Sequence, residues 1–275
     1  MEQILNKFLN KKIILILLFY INITTCVKYY TTKPDYLKSC TIYKPEFTKC
    51  STESIQGVMS YIFTNSLPEL KEEFGSLDPM KLDQLLFKQD NNEAVTIRAN
   101  LTNLLVRGLK ELKIKESRVS KKDFSWETKI FIPHFRIDGN YKMEGRILLI
   151  PLSGNGKMFI ELENLDIIMH TKTRLFERGN FTFYNVTNIR VDLNLGGLKT
   201  YFDNLFNGRS LEVERSTNQF FNENWPEFFE ALRPLISETV ERVLFDILHK
   251  VFDIIPANFF VEDIPTSKEL YKKKS

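Results

Sequence analysis

Side chains able to do chemistry are few and scattered. The chain holds three histidines, His134, His170 and His249, and three cysteines, Cys26, Cys40 and Cys50. A protein zinc site draws His and Cys at short fixed spacings, and neither His-x-x-x-His nor Cys-x-x-Cys occurs here. The histidines therefore read as surface or packed residues. No Gly-x-Ser-x-Gly is present to form a nucleophile elbow. Gly154-Asn155-Gly156-Lys157 looks faintly like a phosphate loop, but the first glycine is missing and Met158 stands where Ser or Thr should follow Lys. A turn between strands is the better reading. Glu161, Glu163 and Asp166 are the carboxylates that acid–base chemistry would use, and sequence does not fix their separation. The expectation is a protein with no catalytic centre, no metal and no cofactor.

The bulk of the chain is apolar in a particular way. Among 275 residues there are 23 Phe, against 10 Tyr and 2 Trp. Such an excess points to apolar burial more than to polar chemistry. The first 26 residues have the order of a secretory signal peptide: Lys7, Lys11 and Lys12, the apolar run Ile13 to Ile21, then Asn22, Thr24, Thr25 and Cys26. The run would span only about 14 Å as a helix, half a bilayer core. Thr24 and Cys26 suit cleavage after residue 26, whereas Ile23-Thr24-Thr25-Cys26 matches a lipoprotein signal poorly. Cleavage lowers the formal charge from +3 to +1, because Lys7, Lys11, Lys12 and Glu2 leave. No strong field remains to attract nucleic acid, and no stable membrane insertion is expected. Lys268 and Lys272 to Lys274 make residues 265–275 a basic, solvated tail.

Cleavage also leaves two cysteines, Cys40 and Cys50, which an extracellular chain pairs. Closing so short a loop stabilises by about 3 kcal/mol or slightly less. Asn100-Leu-Thr102, Asn180-Phe-Thr182 and Asn185-Val-Thr187 are acceptor triplets for N-glycosylation.

Hydrophobic period divides the chain in three. From Thr52 to Phe74, Ile55, Val58, Met59, Ile62, Phe63, Leu67 and Leu70 recur at three and four, an amphipathic helix capped by Ser51 or Thr52 and ending near Pro68. Residues 80–200 alternate in segments: 95–101, 109–119, 126–137, 141–151, 158–169 and 181–195. Turns are expected at Gly139-Asn140, Gly154-Asn155-Gly156 and Gly179-Asn180. Strands this long predict a tall, strongly curved antiparallel sheet. A second amphipathic helix runs from about Asn224 to Ile254, and Pro234 predicts a kink or restart inside it. The fold class is α+β, with the long C-terminal helix laid along the concave face of the sheet and a shorter helix at the N-terminus. Between helix and sheet there is either a filled core or an apolar tunnel.

Several phrases carry a family resemblance. Leu77-Asp78-Pro79-Met80, Tyr141-Lys-Met-Glu-Gly145 leading into Pro151-Leu-Ser-Gly-Asn-Gly156, Leu205-Phe-Asn-Gly208 and Asn218-Gln-Phe-Phe-Asn-Glu-Asn-Trp225 resemble, in this order, the insect haemolymph juvenile-hormone-binding and takeout proteins. The likeness spans about residues 36–264, within a domain of residues 27–264. With a single cysteine pair the chain is similar to the takeout branch. The resemblance implies an elongated tubular lipid-binding fold around a hydrophobic tunnel, and carriage of juvenile hormone, another terpenoid or a fatty acid-like molecule in haemolymph or other extracellular fluid. The alternative is a secreted protein with a filled core whose surface acts on a receptor or another carrier. A monomer is expected. For the tunnel wall the candidates are Trp225, Phe229, Leu232, Ile236, Val240 and Val243 on the helix. Facing them on the sheet are Phe131, Tyr141, Ile147, Leu149, Met158 and Ile160. The hydroxyls of Tyr141, Tyr184 and Tyr201 are candidate polar anchors.

Overall fold

The computed structural model describes residues 29–65, 71, 75–90 and 95–272. The segment read as a signal peptide lies outside them, as do Leu67, Pro68, Leu70 and Phe74. Helix α1 (Phe47–Asn65) begins one turn before the expected cap and buries Phe47, Val58, Ile62 and Phe63. Just ahead of it, Cys40 is joined to Cys50 by a disulfide.

Seven antiparallel strands follow: β1 (Met80–Gln89), β2 (Val95–Arg107), β3 (Lys113–Val119), β4 (Trp126–Ile147), β5 (Ile150–Arg178), β6 (Phe181–Asn194) and β7 (Gly197–Phe202). Strands β4 and β5, of 22 and 29 residues, form one hairpin paired from Trp126↔Thr171 to Ile147↔Ile150. Every other strand except β1, which pairs with β2, lies beside this hairpin. On the β4 edge, β3 pairs with 126–131 and β2 with 136–147. On the β5 edge, β7 pairs with 158–163 and β6 with 166–178. The sheet is not closed.

Two of the three expected turns are strand interior. The chain runs straight through Gly139-Asn140 and Gly154-Asn155-Gly156, and the β4–β5 turn falls at Leu148-Leu149, where Leu148 takes φ 53°. The apolar run Ile147 to Ile150 is thus the two-residue turn with one strand residue on either side. Glycine is needed at 154 and 156 for a different reason. The connection after β7 crosses here, so a Cβ at Gly156 would fall on the Asp203 carboxylate, and one at Gly154 on the Tyr141 hydroxyl. The Gly179-Asn180 turn is present. Strand β1 was missed, because Met80–Gln89 is an edge with only weak alternation.

Helix α2 (Leu211–Glu223) was also missed: its mean character is polar, with only Glu214, Asn218 and Phe221 buried. It leads into α3 (Trp225–Ile254), about 45 Å long. Of the kink or restart expected at Pro234, the restart does not occur, and α3 runs as one helix through it. Pro234 is on the exposed side, where water can serve the carbonyl that its ring leaves without a donor. Short helices α4 (Ala257–Phe260) and α5 (Ser267–Leu270) end the fold. The stretch read as a free basic tail is docked as far as Tyr271, whose hydroxyl accepts from Leu175 N at 2.8 Å, while Ser267 Oγ donates to Glu177 at 2.7 Å.

Three free strand edges are covered by helix side chains. On β3, Ser117 N donates to Thr52 Oγ1 (2.9 Å) and Ile114 N to Gln56 Oε1 (2.7 Å), both acceptors from α1. On β7, Asn218 and Asn222 of α2 each accept a backbone N–H and return a donor to the carbonyl of the same residue, Phe202 and Thr200 respectively, at 2.7 to 3.0 Å. On β6, Glu241 of α3 accepts from Val191 N, and Arg233 donates to the carbonyl of Leu193. Side chains four apart on a helix lie one above the other, so Asn218 and Asn222 mimic the ladder of a missing strand. An unpaired edge is a template for aggregation, and these helices occupy it.

Candidate ligand-binding cavity

Between α3 and the sheet lies a cavity of about 500 Å³. All seven strands contribute to its wall, together with α1, α2, α3 and Phe260 of α4. From α3 come Thr239 and the apolar Trp225, Phe228, Phe229, Leu232, Leu235, Ile236, Val240, Val243, Leu244, Ile247, Leu248, Val251 and Phe252. These repeat at three and four along the helix, so they form one stripe. Apart from the Trp126 and Trp225 indoles, the polar side chains among the described wall residues are Thr128, Thr171, Thr200 and Thr239, and none is ionisable. Thr239 donates to its own helix at Leu235 O (2.9 Å), and Thr128 is within 3.4 Å of the Ser117 hydroxyl.

Of the candidate wall residues, Trp225, Phe229, Leu232, Ile236, Val240, Val243, Ile147 and Ile160 line this cavity. Phe131, Leu149, Tyr141 and Met158 do not. Phe131 fails because β4 and β5 reverse the facing of their side chains together. Ile130 and Ile132 face in, and so do Phe135 and Ile137; on β5 the inward set changes from Leu165 and Ile167 to Leu162 and Ile160. Asn164 takes φ 50° at the change. Before it, odd positions of β4 point outward, and Phe131 sits under the Lys115 ammonium on the outer face. Leu149 is the tip of the hairpin and 88% exposed. Tyr141 and Met158 do face inward, yet the segment after β7 covers them. The Tyr141 ring meets Phe202 edge-on, its hydroxyl donates to Asp203 O at 2.6 Å, and both residues pack with Leu205.

None of the three tyrosines lines the cavity. Burial, with Asp203 and Glu214 nearby, holds the Tyr141 hydroxyl above its ordinary pKa, so it stays a donor. Tyr201 is 40% exposed, and its hydroxyl is 3.4 Å from Glu214. Tyr184 is enclosed against Trp126, ring centroids 5.5 Å apart, and burial pushes its hydroxyl pKa up strongly. Sequence reasoning missed the contributions of α1, β1 and β2, such as Val58, Ile62, Leu85 and Ile97. For α1 the signal was its apolar stripe.

The other candidate groups are dispersed. Glu161 pairs with Arg136, Asp166 with Lys115 at 2.5 Å, and Glu163 stands beside Gly197. Arg136 and then Arg107 keep the Asp138 carboxyl below its usual range. His134 and His170 are exposed and His249 stacks on Phe245. Among the described residues no three His, Cys, Asp or Glu gather as a metal site, and no helix is long and apolar enough to cross a membrane.

Fold and cavity together define an α+β protein in which a long helix lies along an open, wrapped antiparallel sheet over an apolar interior. The chain belongs to the haemolymph juvenile hormone binding protein family, whose model matches residues 14–262. It is 21% identical to the circadian clock-controlled protein daywake of Drosophila melanogaster over 207 residues, 73% of this chain and 78% of that protein. Takeout 1 of Epiphyas postvittana shares the fold, with a TM-score of 0.70 at 20% identity over 83% of this chain and 100% of that one.

Proposed function

We propose that this chain is a secreted carrier that encloses a small hydrophobic ligand, such as a juvenile hormone, another terpenoid or a fatty acid-like molecule, in the cavity beneath α3. The observation that carries this reading is the cavity itself, about 500 Å³ with no ionisable side chain among its described wall residues. Ligand sites of this size are common for small molecules. Enclosing about 350 Å² of terpenoid surface yields roughly 9 kcal/mol gross at 25 cal/mol per Å². Association costs about 4 kcal/mol or more of that. Trp225, Phe229, Leu232, Ile236, Val240, Val243, Ile147 and Ile160 are proposed to touch the ligand. The carrier acts as an enzyme-free, cofactor-free monomer after loss of residues 1–26, with 27–264 as its domain. Asn180 and Asn185, both exposed, are the favoured glycan sites, and Asn100 the third.

Native mass spectrometry of the purified protein tests the reading. A copurifying lipid, or uptake of an added terpenoid, supports it. Val240→Trp fills the middle of the cavity and is expected to abolish uptake with the melting temperature within a few degrees of wild type. A protein that takes up no terpenoid or fatty ligand leaves only a role for its surface, on a receptor or another carrier.

A further inference from the structure

We propose that this chain docks reversibly on zwitterionic phospholipid membranes through the β4–β5 turn and the outer face of α2. Its purpose rests on the carrier reading; the surface stands by itself. Eight large apolar side chains are exposed among the described residues, and four of them are here: Leu149, 88% exposed at the tip of the hairpin, and Leu211, Val213 and Phe220 of α2 at 66%, 50% and 44%. The fold brings them together. The segment after β7 crosses β5 at Gly154, where Leu205 bridges to it, and so starts α2 beside the end of the hairpin. Ile150, Val213, Ser216, Thr217 and Phe220 then line one shallow groove, with Glu212 its charged member. Single apolar residues on a surface are ordinary, whereas a cluster marks a binding face.

Three features favour a lipid surface over a protein. The first is shape. Leu149 projects from a turn that Arg146 braces by donating to Leu148 O at 2.7 Å, and a soft acyl layer accepts such a tip without a matching pocket. The second is continuity. Phe220 meets Phe228 edge-on with ring centroids 5.8 Å apart, and Phe228 meets Phe221 at 4.8 Å. Both inner rings belong to the cavity wall, as do Ile147 and Leu152 on either side of the turn. Apolar cargo partitions into membranes and out of water, so a bilayer is the store that this unbroken apolar contact would serve. The third is charge. Arg209 and Arg215 are exposed and join no ion pair among the described residues, and the exposed acids of α2 are Glu212 and Glu223. Two cations and two anions around an apolar patch match the phosphate and choline of a zwitterionic head group and give no pull toward a charged one. The contact is interfacial and not an anchor, since no described helix can cross a bilayer.

Cosedimentation of the purified protein with phosphatidylcholine vesicles tests this. Wild type is expected to bind, with a change of less than about twofold when phosphatidylserine replaces part of the lipid or when salt is raised. Leu149→Asp and Val213→Asp should each weaken binding by about tenfold or more. Neither threatens the fold: Leu149 stands in solvent, and an acid in the first turn of a helix is favourable. Tyr43 is 69% exposed beside Lys121, at the other end of β4, and Tyr43→Asp should bind like wild type. Absence of wild-type binding to either vesicle overturns the proposal and gives the face to a protein partner. Normal binding by both Leu149→Asp and Val213→Asp overturns it too, as does an equal loss in Tyr43→Asp. Binding that requires phosphatidylserine would be adsorption by charge and overturns the zwitterionic match. Uptake of a terpenoid added in solution separates this from the carrier reading. Wild type that takes up the terpenoid without binding vesicles keeps the carrier and loses the docking face; wild type that binds vesicles and takes up nothing does the reverse.

Discussion

At the scale of single residues, Tyr141 shows that facing inward does not suffice to reach the cavity. Its ring is buried against Phe202 and its hydroxyl serves the carbonyl of Asp203. It ties β4 to the crossing segment that follows β7. Tyr141→Phe is therefore expected to cost about 1 to 3 kcal/mol in chemical denaturation, for one lost bond and one stranded carbonyl. Ligand uptake should be unaffected. A Tyr141→Phe protein of normal stability with impaired uptake would return this hydroxyl to the wall. The helix residues of the wall were legible in the sequence because a stripe at three and four has one reading. The sheet residues were only half legible. Phe131 and Tyr141 share the inward face only if alternation holds across Pro133, where the facing changes, and nothing local in the sequence announces a reversal shared by two strands.

Among elements, α2 contributes through hydrogen bonds what it lacks in hydrophobic burial. Asn218 and Asn222 make four bonds to the backbone of β7, and Glu214 one turn earlier accepts from Leu205 N at 3.0 Å. Asn218→Ala strands an N–H and a carbonyl on Phe202, and a loss of about 1 to 3 kcal/mol is expected. Asn218→Asp keeps the acceptor and removes the donor, so its loss should fall in between; both are read from denaturation midpoints. A helix that earns its place by polar contacts has no apolar stripe to betray it, which is why hydrophobic period passed over 211–223. The same period found α1 and α3. Long strands were legible as alternation, but their ends were not: Gly-Asn pairs mark close chain crossings in this fold as well as turns.

For the whole molecule, the sum of wall chemistry bears on how the environment acts. Histidine is the side chain whose ordinary titration falls between about pH 5 and 8, and none lines the described cavity. Affinity for a neutral ligand is therefore expected to stay flat, within about twofold, when titrations are repeated across that range. A marked pH dependence would mean that release is governed by a group outside the wall. The architecture, helix against curved sheet, was legible from the order of periods and from the resemblance together. The space between them was not, since periodicity reports which faces are apolar and says nothing about how completely they meet.

The shared reversal near Pro133 and Asn164 has a consequence for how the long hairpin finds its partner rungs. In a uniform two-stranded ladder, sliding by one residue turns every side chain to the wrong face, but sliding by two restores the faces and goes unpunished. With a phase change built into both strands at matching heights, a two-rung slide leaves the changes misaligned and pushes apolar groups outward between them. The hairpin thus carries a vernier mark of its own, and alignment along more than twenty rungs is checked partway along its length as well as at its turn.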